Sequence, residues 1–73
     1  MKISSSQELG QAIRLRRKSL HVTQKDLALT AGTGLRFIID LERGKPTCHI
    51  QKALSVVQAL GVKINLSGVG DES

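Results

Sequence analysis

Few side chains in this sequence are of the types that catalyse reactions or bind metals. Thiol and imidazole ligands are limited to Cys48, His49 and the distant His21. Their spacing offers no four-ligand set of the kind that holds zinc. No Ser/His/Asp or Cys/His arrangement has supporting context, and no carboxylate pair is placed for general acid–base chemistry. We therefore expect no enzyme activity, no metal and no cofactor.

Most of the charged side chains are cations. The chain carries 11 Lys and Arg against 6 Asp and Glu, which gives a formal net charge of +5 and a pI near 10.0. Such an excess favours an anionic partner, most often nucleic acid. Because many basic proteins bind nothing anionic, the interpretation depends on the scaffold that arranges these charges.

The length and apolar content predict one small domain. The chain has 73 residues, within the usual range for a single domain. Leu, Ile, Val and Phe together number 22, too many for a disordered basic tail. The single cysteine cannot form an internal disulfide, the N-terminus has no signal-peptide core, and no segment approaches a membrane span. We therefore expect a cytoplasmic protein.

Hydrophobic spacing and capping residues predict four helices. Ser5 with Glu8 fits a capping box, Thr23 is a natural N-cap, and Gly32 and Pro46 are typical of helix ends. Residues expected to face inward recur three or four positions apart: Leu9, Ala12, Ile13, Leu20, Leu27, Ala28, Ala31, Ile38, Leu41, Ile50, Ala53, Leu54, Val57 and Leu60. The helices are expected at about 6–19, 23–31, 34–43 and 47–60, the last capped by Thr47.

A different periodicity follows Gly61. Residues 62–66 alternate apolar and polar side chains, which is typical of a half-buried strand. No second strand is evident, and even an isolated hairpin is marginal in water. We therefore expect this strand to pair across a homodimer, with Val62, Ile64 and Leu66 at the interface. The alternative is a stub packed on the fourth helix; residues 68–73 are expected to form a frayed tail.

Two stretches carry a family likeness. Thr23-Gln24-x-x-Leu27-Ala28-x-x-x-Gly32, followed by Ile38-x-x-Leu41-Glu42-x-Gly44-x-Pro46, resembles the lambda-repressor-like, XRE-type helix-turn-helix family. Within that family, residues 34–47 followed by a helix and a strand are most similar to HipB-type antitoxins, whose toxins are HipA-like Ser/Thr kinases. The resemblance implies a mainly α, four-helix lambda-repressor-like domain over residues 1–73, with a short C-terminal β-strand that pairs across a homodimer.

The resemblance also implies which residues face DNA bases. In this fold the start of the third helix enters the major groove, and the corresponding positions here are Gly34, Leu35, Arg36, Ile39 and Asp40. The fork of Arg36 can bond O6 and N7 of guanine; alternatively, Arg36 pairs with Asp40 on a solvated helix face. Leu35 and Ile39 either meet thymine methyl groups or pack near the only aromatic residue, Phe37. Gly34 leaves this helix without a side-chain cap.

Contacts to the DNA backbone are expected on either side of that helix. Thr23, Gln24 and Lys25 stand at the start of the second helix, where free amides and the helix dipole favour a phosphate. Arg43 and Lys45 follow the third helix and can neutralise further phosphates. Such contacts set the register of the protein on the duplex without reading sequence. For the charged residues, the alternative is a solvated side chain with no ordered contact.

One member of the basic run at residues 14–18 has a different expected role. Four cations in this run cannot all face one way on a helix. The resemblance implies that Arg17 forms a largely buried ion pair with Glu42 and ties the first helix to the third.

Together these expectations describe a homodimeric repressor that binds palindromic double-stranded DNA and has no membrane or small-molecule partner. By resemblance, it represses its own operon and restrains a HipA-like kinase toxin. Two alternatives remain open. One is a phage or plasmid repressor without a toxin, and the other is an interaction adaptor that uses the fold without reading DNA.

Overall fold

The computed structural model describes residues 2–46, 49–61 and 65–66. In chain order the elements are β1 (Lys2–Ile3), α1 (Ser6–Ser19), α2 (Gln24–Ala31), α3 (Leu35–Glu42), α4 (Ile50–Ala59) and β2 (Asn65–Leu66). α1 packs against α3, and α2 packs against both α3 and α4. None of the described helices has both the length and the hydrophobicity needed to cross a membrane.

The core is aliphatic and lies where the four helices meet. Each helix supplies one completely buried side chain: Ile13, Leu27, Ile38 and Val56. Burying a side chain of this size contributes about 1.5–3 kcal/mol relative to leaving it exposed. Smaller or flanking residues complete the cluster: Ala28, Leu41, Ala53, Val57 and Leu60, with Leu9, Val22, Ala31 and Phe37 partly buried against it. One small hydrophobic core therefore holds all four helices in fixed positions.

Local hydrogen bonds determine where α1 begins. The Ser5 hydroxyl accepts from the Glu8 amide at 3.1 Å. The Glu8 carboxylate in turn accepts from the Ser4 hydroxyl at 2.6 Å and from the Ser4 amide at 2.7 Å. Hydroxyl and amide donation both favour the ionised carboxylate, so the pKa of Glu8 lies below its ordinary value. The Glu8 carboxylate of the capping box therefore bonds back to Ser4, the residue before the cap residue Ser5.

The turn between α2 and α3 is also built from capping residues. The Thr23 hydroxyl accepts from the Asp26 amide at 3.0 Å, so α2 begins at Gln24, one residue later than predicted. Gly32 ends α2 in the left-handed conformation with φ of 74°, which glycine adopts without steric cost. Gly34 is extended, with φ of −81° and ψ of 157°, and precedes α3. Because cap residues are not helical, α3 spans Leu35–Glu42 and not 34–43.

The fourth helix differs from its prediction in its start and in two of the five residues predicted to face inward. It begins at Ile50 and not at residue 47, because His49 has a non-helical ψ of 65°; Thr47 and Cys48 lie outside the described residues. Ile50 and Leu54 were expected to face inward, yet they are 66% and 46% exposed. The inward-facing residues are Ala53, Val56, Val57 and Leu60, which satisfy the same three-and-four spacing.

Leu20, also expected inward, follows the last turn of α1 and is exposed.

The C-terminal strand has a partner within its own chain, so the expectation that it lacks one is wrong. Lys2 lies opposite Asn65 and Ile3 opposite Leu66 in a parallel pair. Ile3 is buried, and β1 also contacts α1. Val62, Ile64, the side chain of Leu66 and the tail at 68–73 lie outside the described part of the chain. Pairing across a homodimer stays a prediction.

Candidate nucleic-acid interface

The N-terminal half of α3 presents an open face to solvent. Ile38 and Leu41 point into the core and are buried, whereas Leu35 is exposed and the Arg36 side chain is 75% exposed. Arg36 lies two residues from Ile38 and therefore does not share its face; Leu35, the first residue of α3, is exposed although it lies three residues before Ile38. Two of the residues predicted to face DNA bases therefore lie at the surface, on a helix held firmly from behind.

Asp40 lies between two cations on this face. Its carboxylate oxygens are 3.4 Å from Nε of Arg36 and 3.8 Å from Nζ of Lys45. The alternative of an i,i+4 pair between Arg36 and Asp40 is therefore present in the free chain. This pair involves Nε, and the two Nη groups carry the other four N–H donors of the guanidinium. Pairing with Asp40 is thus compatible with a guanidinium fork that faces outward.

The other residues predicted to contact bases lie around this pair. Gly34 is exposed, and a Cβ placed on it would meet no atom within 4 Å. Ile39 is half-buried. Phe37 packs toward the core, with the His49 ring edge-on at 6.4 Å and Nζ of Lys52 5.9 Å from its centroid. Because residues two apart on a helix do not face each other, packing of Leu35 or Ile39 on Phe37 is disfavoured.

Arg17 and Glu42 lie in contact beneath this face. Nε of Arg17 donates to Oε2 at 2.6 Å, and Nη2 donates to Oε1 at 3.1 Å. Arg17 is 9% exposed and the Glu42 side chain 3% exposed. Nη1 of Arg17 donates to the Val22 carbonyl at 2.9 Å, and Nε2 of Gln24 donates to Oε1 of Glu42 at 3.1 Å. One bidentate pair therefore joins α1, the α1–α2 turn, α2 and α3.

A cleft opens above this ion pair, between α1, the start of α2 and the end of α3. Its volume is about 370 Å³, and it is lined by Arg14, Arg17, Gln24, Ile39, Glu42 and Arg43. The structure thus brings together Gln24 and Arg43, both predicted to contact the DNA backbone. Arg14 was missing from that prediction. Its position three residues before Arg17 was the available signal, since residues three apart lie on the same side of a helix.

The other residues predicted to contact the backbone lie outside the cleft. Thr23 is occupied as the cap of α2, and Lys45 faces Asp40. Lys25 is exposed on the first turn of α2. The N-terminus of α2, with its free amides, lies beside the cleft because Gln24 belongs to both.

The basic run of α1 divides by position on the helix. Arg14 lines the cleft, Arg17 pairs with Glu42, and Lys18 is exposed. Nε of Arg16 donates to the Leu60 carbonyl at 3.1 Å. This bond satisfies a carbonyl at the C-terminal end of α4, where a cation also favours the helix dipole. Arg16 therefore has a structural role that was not predicted.

Histidine and cysteine lie apart from this interface. His21 follows α1 with a positive φ of 58°, His49 contacts Phe37, and Cys48 lies outside the described residues. Across the ranges that the structure describes, no three His, Cys, Asp or Glu side chains form a group that could hold a metal ion.

Comparison with known proteins identifies the family. A family model described as Helix-turn-helix matches residues 13–66, from the middle of α1 to β2. The chain is also similar to a protein named "Uncharacterized HTH-type transcriptional regulator y4mF" from Sinorhizobium fredii (strain NBRC 101917 / NGR234). The two are 44% identical over 70 residues, which cover 96% of this chain and 92% of the relative. The predicted helix-turn-helix likeness is confirmed, whereas the narrower likeness to HipB-type antitoxins stays a prediction. The chain belongs to the helix-turn-helix family.

Proposed function

We propose that this chain is a DNA-binding transcriptional regulator that reads its operator with the outward face of α3. The observation that carries the proposal is the exposure of Arg36 at the start of the second helix of a helix-turn-helix unit. The family match, the relative's name as a transcriptional regulator and the net charge of +5 all support it. The proposed role is binding and not catalysis.

Arg36 is the main base-reading residue in this proposal. The contact with Asp40 is through Nε at 3.4 Å, and in this proposal the two Nη groups donate to O6 and N7 of a guanine. A bidentate contact of this kind contributes about 1–3 kcal/mol of discrimination against other bases. Leu35 is placed to meet a thymine methyl group, and Gly34 allows the DNA to approach the start of α3 closely. Ile39 and Asp40 complete the proposed base-facing set.

The same docking brings phosphates to two other parts of the surface. Thr23, Gln24 and Lys25 surround the N-terminus of α2, where free amides and the dipole attract an anion. Arg43 and Lys45 follow α3 and face the continuing backbone. These contacts position α3 and carry no sequence information. They also make the affinity fall steeply as salt concentration rises, because bound counterions are released.

We further propose that the protein acts as a homodimer. In the described residues β2 pairs with β1, and we propose that its other edge pairs with another copy. The alternating residues Val62, Ile64 and Leu66 would cover that interface. A two-fold dimer would place its two recognition helices about 34–36 Å apart, one turn of DNA. Sedimentation at micromolar concentration should show a dimer, and Ile64→Lys should dissociate it; a monomeric wild-type protein would contradict the dimer.

The narrowest part of the proposal is a HipB-type antitoxin that represses its own operon and restrains a HipA-like kinase. It is supported by the resemblance of residues 34–47 and the following helix and strand. A kinase gene beside this one, and a kinase that co-purifies with the chain, are the expected findings. If neither is found, a stand-alone phage or plasmid repressor becomes the better description, and the DNA-binding proposal is unaffected.

The test of DNA reading compares two duplexes of equal length in fluorescence anisotropy titrations. One carries the sequence upstream of the chain's own gene, and the other is its scrambled version. Wild-type protein should prefer the upstream duplex. Arg36→Ala should lose about 1–3 kcal/mol on that duplex and much less on the scrambled one. Lys18→Ala is the control, since it removes one exposed positive charge from α1.

Equal affinity of wild-type protein for the two duplexes would contradict sequence-specific reading. An interaction adaptor that uses the fold without reading DNA would give that result.

A further inference from the structure

Arg14 is a cation in the cleft that the proposed DNA reading leaves without a role. It is exposed on α1 and lines the cleft together with Arg43, which follows α3. No ion pair to either residue occurs among the described residues. Two uncompensated guanidinium groups from different helices therefore line one opening.

The groups between these two arginines favour an anion. The only carboxylate that lines the cleft, Glu42, accepts two bonds from Arg17 and one from Gln24. Three guanidinium groups and one carboxylate give the lining a net charge of +2. The Glu42 side chain is 3% exposed and its charge is paired with Arg17, which reduces its repulsion of an incoming anion. Arginine in turn binds phosphate oxygens in a bidentate manner.

The cleft is also rigid on its inner side. Its floor consists of the bidentate Arg17–Glu42 pair and of Gln24, whose amide is held by Glu42. Ile39 adds an apolar wall from α3. The volume of about 370 Å³ is ample for a phosphate together with atoms of the adjoining sugars. Little side-chain ordering is needed at the floor when an anion binds, which favours affinity.

We propose that this cleft binds one phosphate of the DNA backbone between Arg14 and Arg43, which makes Arg14 a DNA-contacting residue. The inference rests on the proposed function and deepens it. Binding one phosphate from α1 and α3 together sets the angle at which α3 enters the groove. Since the contact is to the backbone, it contributes equally to specific and non-specific duplexes.

The test measures the affinity of each variant for the upstream and scrambled duplexes over a series of salt concentrations. Neutralising one phosphate changes the slope of log K against log salt by about 0.9. Arg14→Ala should weaken binding to both duplexes by the same factor, about five- to tenfold at moderate salt. Lys18→Ala, one turn further along α1 but outside the cleft, should change affinity much less. Equal losses for Arg14→Ala and Lys18→Ala would overturn the proposal.

The double variant Arg14→Ala/Arg43→Ala tests whether the two arginines share one phosphate. If they do, the slope should fall by about 0.9 in total for each bound protomer. A fall of about 1.8 would mean two separate phosphates and would contradict a shared site. Unchanged melting temperatures would show that both side chains act on binding alone. If wild-type protein bound neither duplex, the proposed function itself would fail.

Inorganic phosphate distinguishes a free anion from the DNA backbone. At constant ionic strength, we expect millimolar phosphate to leave the wild-type melting temperature unchanged. Thermal protection by phosphate that the double variant loses, combined with unchanged DNA affinity of that variant, would assign the cleft to a free phosphate. That result would overturn the backbone assignment.

Discussion

Two arginine–carboxylate pairs involve α3, and they differ in almost every physical respect. Arg17 and Glu42 are buried and bidentate, and their nearest atoms are 2.6 Å apart. Arg36 and Asp40 lie on the outer face at 3.4 Å, and the Arg36 side chain is 75% exposed. Each pair joins an arginine to a carboxylate, but Arg17–Glu42 links two helices inside the fold and Arg36–Asp40 is an i,i+4 pair on one exposed helix face.

The difference shows how one short helix can have two roles. Every nitrogen of the Arg17 guanidinium donates to Glu42 or to the Val22 carbonyl, so this group is held within the fold. Arg36 contacts Asp40 through Nε and has its Nη groups to offer. We therefore expect the inner face of α3 to determine stability and the outer face to determine DNA affinity.

The largest expected effect comes from breaking the inner pair. Glu42→Ala leaves Arg17 buried without a counterion and removes the partner of Gln24. Breaking a buried pair in this way costs about 3–5 kcal/mol of the free energy of unfolding. Asp40→Ala, the matched change on the outer face, should cost less than about 1 kcal/mol. Urea denaturation measures both; similar losses in the two variants would remove the distinction between the pairs.

A double replacement tests whether the unpaired buried charge causes this loss of stability. Arg17→Met/Glu42→Leu removes both charges and fills a similar volume. Because a buried pair is costly to desolvate, such a variant should regain much of the stability lost in Glu42→Ala. A double variant no more stable than Glu42→Ala would mean that the hydrogen bonds to Val22 and Gln24 dominate, and not the charge pair.

Two glycines near the ends of α3 differ in the space around them. A Cβ on Gly10 would overlap the Leu41 carbonyl oxygen and lie 2.9 Å from that of Glu42, whereas one on Gly34 would meet nothing within 4 Å. Gly10→Ser should therefore lower the free energy of unfolding by about 1–3 kcal/mol. Gly34→Ser should change it by only a few tenths, since serine is also a good N-cap. A Gly34→Ser loss as large as that of Gly10→Ser would contradict an open outer face.

The smallest expected effect is a pH dependence at the exposed start of α1. Bonds from the Ser4 hydroxyl and amide lower the pKa of Glu8 from its ordinary value of 4.5. A carboxyl with a lowered folded-state pKa stabilises the fold above the unfolded-state pKa, and this contribution is lost as the pH falls through the folded-state value. Glu8→Gln should thus be less stable than wild type at neutral pH, and the difference should shrink below pH 4.5. A pH-independent difference in thermal unfolding would exclude this origin.

Features encoded by neighbouring residues were predicted well from the sequence. Thr23 and Gly32 act locally, through one hydroxyl–amide bond and one left-handed residue, so the bounds of α2 follow closely from them. In α4, Ala53, Val57 and Leu60 were correctly predicted to face inward. Ile50 and Leu54 were not, because they satisfy helical spacing as well as Val56 does. Only packing against the other helices determines which of these residues face the core.

Contacts between distant residues were harder to predict. The pairing of Lys2–Ile3 with Asn65–Leu66 involves too few residues to show a periodicity. The spacing of Arg14 and Arg17 places both on one side of α1, but that this side meets Gln24 and Arg43 in a cleft depends on how the helices pack. The resemblance, by contrast, implied Arg17 with Glu42, because a family pattern carries three-dimensional information that local rules lack.

The central claim is that the exposed face of α3 reads bases through Arg36. The most direct test combines Arg36→Ala with single base-pair substitutions at each position of the upstream duplex and measures the coupling free energies. We predict a coupling of about 1–3 kcal/mol at one G·C pair in each half-site and values near zero elsewhere. If Arg36→Ala weakened binding equally for all duplexes, with no coupling at any position, Arg36 would be only a backbone or long-range contact and the claim would be wrong.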